Sequence, residues 1–312
     1  MARPLRIEYP GAFYHITARG NERKDIFKGA QDYEKFLSYL EASTQRYGAI
    51  IHVYCLMGNH YHLLLETPLG NLSQIMRHIN GSYTTYFNTR RKRAGHLFQG
   101  RYKAILVDAD GYAGGLSRYI HLNPLRAGLS SRPEHYRWSS YQYYIGKKKT
   151  PEWLKLDFIL GYFGRRISTA QNRYHEFVNA LVDKEYVSPL KDTLASTILG
   201  GFDFVNEIKD KYLSSKELDR NLPALTELLR GPSLEEISNV VKAKLSEDPV
   251  LLKKATLYLC HRYSGRTLKE IGAHFGIGES AVSQASSRFR LMLDKGIKLR
   301  KKIDTISKKL KM

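Results

Sequence analysis

Hydrophobic positions in the first 130 residues switch repeatedly between a period of two and a period near 3.6. Residues 12–17, Ala-Phe-Tyr-His-Ile-Thr, read as a strand, and 32–48 as an amphipathic helix closed by Gly48. The runs 49–57 and 60–66 read as two strands, with Gly58-Asn59 suited to a tight hairpin turn between them. A helix over roughly 71–92, a strand over 101–108 and a helix from about Asp110 to His121 follow, the last stopped by Pro124. The order β-α-β-β-α-β predicts an α+β fold built on a ferredoxin-like (split βαβ) antiparallel sheet. Such a sheet hosts many functions and names no chemistry by itself.

Beyond it the pattern changes. Residues 131–165, with the run Lys147–Lys149, read as a solvated connecting stretch, and from about 166 the chain is helical throughout. Pro223 and Gly231-Pro232 place a linker near 215–233. Thr267 opens a helix with Glu270 three residues on, a capping box, and Gly276-Ile277-Gly278 turns the chain into a second helix from Glu279 to Arg290. With a supporting helix at about 250–263, Leu268, Ile271, Phe275, Ile277, Val282 and Phe289 have the spacing of a helix-turn-helix core. The second helix would then expose Ser280, Ser283, Gln284, Ser287 and Arg288. The expected organisation is a sheet domain over 1–145, a helical connecting region over 146–232, and an all-α helix-turn-helix domain with a basic tail over 233–312. No internal repeat of solenoid period is present.

Composition adds a partner. With 42% hydrophobic and 12% aromatic residues the chain reads as folded, and no apolar run is long enough for a membrane. The start has no signal-peptide core, so a cytoplasmic protein is expected. Cys55 and Cys260 stand far apart in apolar settings, as core fillers rather than metal or redox ligands. The net charge is +20, and residues 1–150 hold 22 basic against 10 acidic side chains. Such an excess suits a polyanion, and 22 interleaved tyrosines suit stacked bases. A merely basic soluble protein fits composition equally well.

Asn59-His60-Tyr61-His62 offers chemistry. Alternate residues of a strand share a face, so His60 and His62 point the same way and could hold one divalent cation. Many strands carry two histidines for no catalytic reason. A second cluster, Ser117-Arg118-Tyr119-Ile120-His121-Leu122-Asn123-Pro124, places Tyr119 and Asn123 four apart on one helix face. A phenol beside a cation is a workable nucleophile toward phosphorus. The plainer reading, a packing tyrosine and a capping asparagine, is comparable on physics alone.

His60-Tyr61-His62 resembles the His-hydrophobic-His motif of HUH single-strand nucleases. Tyr14–Asn21, Gly95–Lys103 and Tyr119–Gly128 resemble the REP-associated tyrosine transposases, in family order, across about residues 3–145. The resemblance implies a tyrosine that attacks a single-strand phosphodiester, leaving a 5′-phosphotyrosine and a free 3′-hydroxyl. It makes Tyr119 the nucleophile and His60 and His62 metal ligands for Mg²⁺ or Mn²⁺. Related transposases carry glutamine where Asn123 stands, one methylene longer, so Asn123 is the third-ligand candidate. Family substrates are short palindromes that form hairpins, flanked by a conserved tetranucleotide. Arg19, Asn21, Arg101, Lys103, Arg118 and Arg126 are the positions expected along that DNA. The C-terminal segment resembles the helix-turn-helix of replication initiators, with Ser283, Gln284 and Arg288 expected to contact duplex DNA. The rival expectations are a DNA-binding regulator with an inactive nuclease domain, and an RNA-binding module, for which the signature aromatic strand is missing.

Overall fold

The alternating stretch near the N-terminus forms strand β1 (Ala12–Arg19), and the sheet is assembled around it. A computed structural model of the chain describes residues 6–182, 184, 188–194, 196–213, 232–245 and 248–310. β1 pairs antiparallel with β3 (His60–Thr67) on one side and β4 (Lys103–Val107) on the other, and β2 (Ile50–Leu56) pairs antiparallel with β3. In the order β2-β3-β1-β4 each crossover skips one strand, which is the split βαβ arrangement expected. A two-residue strand, β5 (Ile198–Leu199), adds to β4 in parallel. Two residues carry no alternation to read, so this edge was invisible in the pattern.

Helices α1 (Ala30–Tyr47) and α2 (Leu72–Arg90) pack together over one face of the sheet. Phe36 sits 4.8 Å from Tyr61 and 5.1 Å from Tyr83, ring centre to ring centre, at the heart of that layer. α1 stops at Gly48, whose φ of 65° is cheap only for glycine and lets its amide reach the Thr44 carbonyl. Gly20, at the end of β1, is needed for a different reason: a Cβ there would lie 2.0 Å from the Lys24 carbonyl oxygen. The turn it permits runs through Glu22 and Arg23 at φ 55° and 60°, a left-handed pair without glycine.

Helix α3 (Ala109–Arg126) covers the opposite face, against β2 and β3. Pro124 does not stop it. Proline removes one amide and costs a helix roughly 3 kcal/mol. Burial of Leu122 and of Pro124 itself offsets that cost, and Ala127 still closes onto the Asn123 carbonyl.

The solvated connector expected over 131–165 is also corrected. Lys147, Lys148 and Lys149 are exposed, yet Tyr141 and Tyr144 of α4 (Tyr141–Tyr144), Leu154, Leu156 and Ile159 are buried. α5 (Asp157–Gly161) and α6 (Ile167–Asn179) continue the packing, so residues 146–201 build onto the sheet unit. Three lysines in sequence hid a buried tyrosine cluster.

A second compact unit begins at Phe202. α7 (Phe202–Ile208) runs into a π-helical turn, and α8 (Leu234–Leu245), α9 (Pro249–Tyr263), α10 (Leu268–Phe275), α11 (Glu279–Lys295) and α12 (Ile297–Leu310) follow. Ile237, Val241, Leu259, Ile271, Val282, Phe289 and Ile306 form its core. The basic tail is therefore a helix, with Ile303 and Ile306 turned inward. Most of the linker expected near 215–233 lies outside the described residues. Cys55 and Cys260 are buried free thiols.

Candidate active site

Register builds the site before any side chain is considered. Thr17 of β1 lies opposite His62 of β3 and Lys103 of β4, and Arg19 lies opposite His60. Cross-strand partners share a face, so His15, Thr17, Arg19, His60, His62 and Lys103 all rise from the side covered by α3. α3 lowers Tyr119 onto this row: its ring centre is 6.0 Å from that of His62 and 6.2 Å from that of His15. His60 and His62 are 5.1 Å apart, centre to centre. Two segments 57 residues apart in sequence, His62 and Tyr119, thus meet.

The imidazoles are neutral near pH 7. Burial pushes His15 down to about 4; burial, with the Arg19 charge adding to it, pushes His60 down to about 4 as well. His62 is held well below the usual histidine range, by burial first and then by His15, His60 and Arg19. Neutral rings are the form that can donate a lone pair to a cation.

His62 Nδ1 lies 3.0 Å from His15 Nε2, and His60 Nδ1 lies 2.6 Å from Asn59 Oδ1. Asn123 is half-buried one turn beyond Tyr119, its Nδ2 donating to the Tyr119 carbonyl at 3.0 Å. That bond leaves Oδ1 as its acceptor. Two imidazoles with an amide oxygen would make an N/O donor set of the kind that suits Mn²⁺, and less readily Mg²⁺. Among the described residues no group of three or more His, Cys, Asp or Glu side chains could hold a metal ion. Further ligands would have to be oxygens of amide, water or phosphate.

The candidate DNA contacts divide. Arg19, Arg101, Lys103 and Arg126 are exposed, and the Arg126 guanidinium stands 5.4 Å from the Tyr119 ring centre. Asn21 is half-buried, its backbone N–H donating to the Leu97 carbonyl, so the 95–101 loop is docked beside β1. Arg118 is not with this group: it stacks 3.8 Å over Phe177 of α6 and donates to that residue's carbonyl. In the helical unit, Gln284 and Arg288 are exposed on α11 and Ser283 is half-buried.

Three residues had no assigned role in the sequence. His15 and Asn59 touch the paired histidines, but only strand register, which a single sequence does not disclose, brings His15 to His62. His121 is fully buried on α3, bonded through Nδ1 to Tyr174 Oη at 2.7 Å and through Nε2 to Ser140 Oγ at 2.8 Å. Burial holds it at about 3. Both nitrogens are satisfied within the core, so His121 fastens α3 rather than serving chemistry.

A concavity of about 1250 Å³ lies elsewhere. It lies between α1 and α2 and is lined by Arg46, Arg77 and Arg90 with Tyr39, Tyr47 and Tyr86. Size alone does not make it the site, because no histidine pair or helix-borne nucleophile candidate faces it.

Residues 9–123 match the family model described as "Transposase IS200 like". Over this segment the chain is similar to the IS200-like transposases. The family likeness read from the four motifs is borne out, and the match runs from just before β1 into the Tyr119 helix. No curated protein matches the chain. Two of the similar solved structures are the following. One, described as a REP-associated tyrosine transposase bound to a REP hairpin, has 16% identity and a TM-score of 0.42, covering 51% of this chain and 93% of its own. The other, a putative transposase from Deinococcus radiodurans R1, has 17% identity and a TM-score of 0.28, covering 38% and 95%. No helix among the described residues is long and apolar enough to cross a membrane.

Proposed function

We propose that the protein is a single-strand DNA endonuclease and strand transferase that cuts hairpin-forming palindromic DNA with Tyr119. The observation that carries this reading is the meeting of Tyr119 with the neutral imidazole of His62, which stands beside that of His60, from a different part of the chain. The Tyr119 hydroxyl gives up its proton to water and its oxygen attacks phosphorus. The Oη–P bond forms as the bond to the 3′ oxygen breaks, leaving a 5′-phosphotyrosine and a 3′-hydroxyl that takes a proton. His60 and His62, with Asn123 Oδ1, would hold Mg²⁺ or Mn²⁺. When bound, such a cation polarises the scissile phosphate and neutralises its developing charge. Arg19, Lys103 and Arg126, exposed around the row, suit the flanking phosphates, and Arg101 and Asn21 the strand beyond them.

The helical unit supports a second contact with DNA. α10 carries a full capping box at Thr267 and Glu270 and ends on Gly276 at φ 68°. A side chain at Gly272 would lie 2.5 Å from the Ile277 carbonyl, so the turn can approach α10 only because glycine stands there. Beyond that turn α11 presents Gln284, Ser287 and Arg288 to solvent, with Ser283 partly so, a polar face that suits a major groove.

The test is incubation of the full chain with a labelled single-stranded hairpin and Mn²⁺. A denaturant-stable protein–DNA adduct, mapped to the peptide containing Tyr119, is the expected product. A regulator with an inactive nuclease domain would bind the same DNA and form no adduct.

A further inference from the structure

The two histidines can bind a cation only if each ring keeps its proton on the nitrogen that faces away from it. A neutral imidazole has one N–H and one lone pair, and the ring's own preference between its two nitrogens is weak enough for one hydrogen bond to override. The surrounding side chains decide.

For His60 the decision is determinate. Asn59 Nδ2 donates to the Arg23 carbonyl at 3.0 Å, which fixes the orientation of the amide. Its Oδ1 therefore faces His60 Nδ1, 2.6 Å away. An amide oxygen can only accept, so Nδ1 carries the proton and Nε2 the lone pair. The Arg23 carbonyl is available there because Glu22 and Arg23 hold left-handed backbone angles and because Gly20 has no side chain to strike Lys24. Backbone strain of this kind persists where the surroundings enforce it.

For His62 the partner is His15. The two rings are nearly parallel, 7° between planes, with centres 5.3 Å apart and Nδ1 to Nε2 at 3.0 Å. That separation leaves the two nitrogens facing each other in one plane, as in a straight N–H···N bond. A cation bonded to both would need about 2 Å to each nitrogen, which a facing pair at this distance does not allow. His15 is therefore a partner of His62 and not a co-ligand. His62 Nε2 is the nitrogen left for a cation, and it is free only when His62 Nδ1 donates to His15. His15 then keeps its own proton on Nδ1, which is buried with no hydrogen-bond partner. The ligating arrangement is thus held at some cost, which a bound cation offsets.

We propose that Asn59 and His15 are positioning residues that hold His60 and His62 in the tautomer able to bind a cation through Nε2. The proposal rests on the metal reading above and deepens it. The experiment uses the full-length chain labelled with ¹⁵N. Long-range ¹H–¹⁵N spectra in saturating Mg²⁺ are expected to show Nδ1 protonated and Nε2 bare on both His60 and His62. Mn²⁺ affinity, read from the EPR signal of free Mn²⁺, should fall about 10- to 100-fold in Asn59→Ala and in His15→Phe, the usual effect of losing a ligand's outer partner. His15→Gln, whose amide oxygen can accept from His62 Nδ1, should recover most of that loss. An Nε2 proton on either histidine in the Mg²⁺-loaded wild type overturns the proposal. So does wild-type Mn²⁺ affinity in both Asn59→Ala and His15→Phe. If His15→Phe does not fold, Asn59→Ala and the wild-type spectra still decide. Failure of the metal reading looks different: Mn²⁺ affinity would then be unchanged by His60→Ala and His62→Ala, while the Nδ1 protons are read independently.

Discussion

The rings of Tyr119 and His62 meet edge to face, with centres 6.0 Å apart and planes at 85°. Because His15 and His62 are nearly parallel, the same tyrosine stands perpendicular to both, at 88° to His15. Tyr119→Phe keeps that ring packing and removes only the hydroxyl. Stability should change by about 1 kcal/mol or less, hairpin affinity should be retained, and the covalent adduct should disappear. An adduct that persists in this variant would move the nucleophile to another tyrosine, Tyr112 being nearest in sequence.

Loss of either imidazole leaves a donor set too small to hold a cation. His60→Ala and His62→Ala should each abolish cleavage, and chelation should do the same to the wild type. Asn123→Ala should cost less, since water can replace an amide oxygen. Full activity in excess chelator would remove the cation from the reaction.

His121 gives a stability test by pH. Its pKa is about 3 in the folded chain against 6.5 for a free histidine, because burial disfavours the charged ring. The unfolded chain therefore takes up this proton first as the pH falls. The contribution of His121 is fully present above about pH 6.5 and is lost progressively toward pH 3, at about 1.4 kcal/mol per pH unit within that window. Urea unfolding of the wild type and His121→Asn at pH 7, 6 and 5 should show a difference that narrows by about 2 kcal/mol. Parallel profiles would contradict a neutral buried His121.

Tyr174 bonds His121 Nδ1 at 2.7 Å and Ser117 Oγ at 2.9 Å. Tyr174→Phe leaves both buried groups short of a partner and should cost about 1–3 kcal/mol. Denaturant midpoints measure this, and Mn²⁺ affinity should be unaltered, because neither paired histidine touches Tyr174.

Duplex binding separates the two units. Replacing Ser283, Gln284 and Arg288 together by alanine should lower duplex affinity at low salt and leave hairpin cleavage as it was. The wild-type duplex affinity should fall with salt at a slope of about −0.9 per phosphate neutralised, and the triple variant should show a shallower slope. Equal affinities and slopes would make the helical unit a packing or partner-binding module.

The sequence was most legible where chemistry and period coincide. Alternation placed His60 and His62 on one face, and glycine with capping residues marked the ends of α1 and α10 correctly. What was hidden was long-range. Register between β1 and β3 brings His15 to His62, and nothing local to either strand states it. Pro124 misled because its local cost was visible while the burial that offsets it was not. The lysines at 147–149 misled in the same way, masking Tyr141 and Tyr144, which pack with Tyr174 around His121.

The family match ends at Asn123, in the last turn of α3, and the bonds that fasten this helix reach past that point to Ser140, Tyr174 and Phe177. What is inherited as a recognisable block is therefore shorter than what must be present for the block to stand. A recombination joint placed at the end of the shared segment would cut between Tyr119 and the anchorage of its helix. Exchange of this domain between relatives can succeed only if residues 124–179 travel with it, or if the recipient chain supplies its own buried partners for His121.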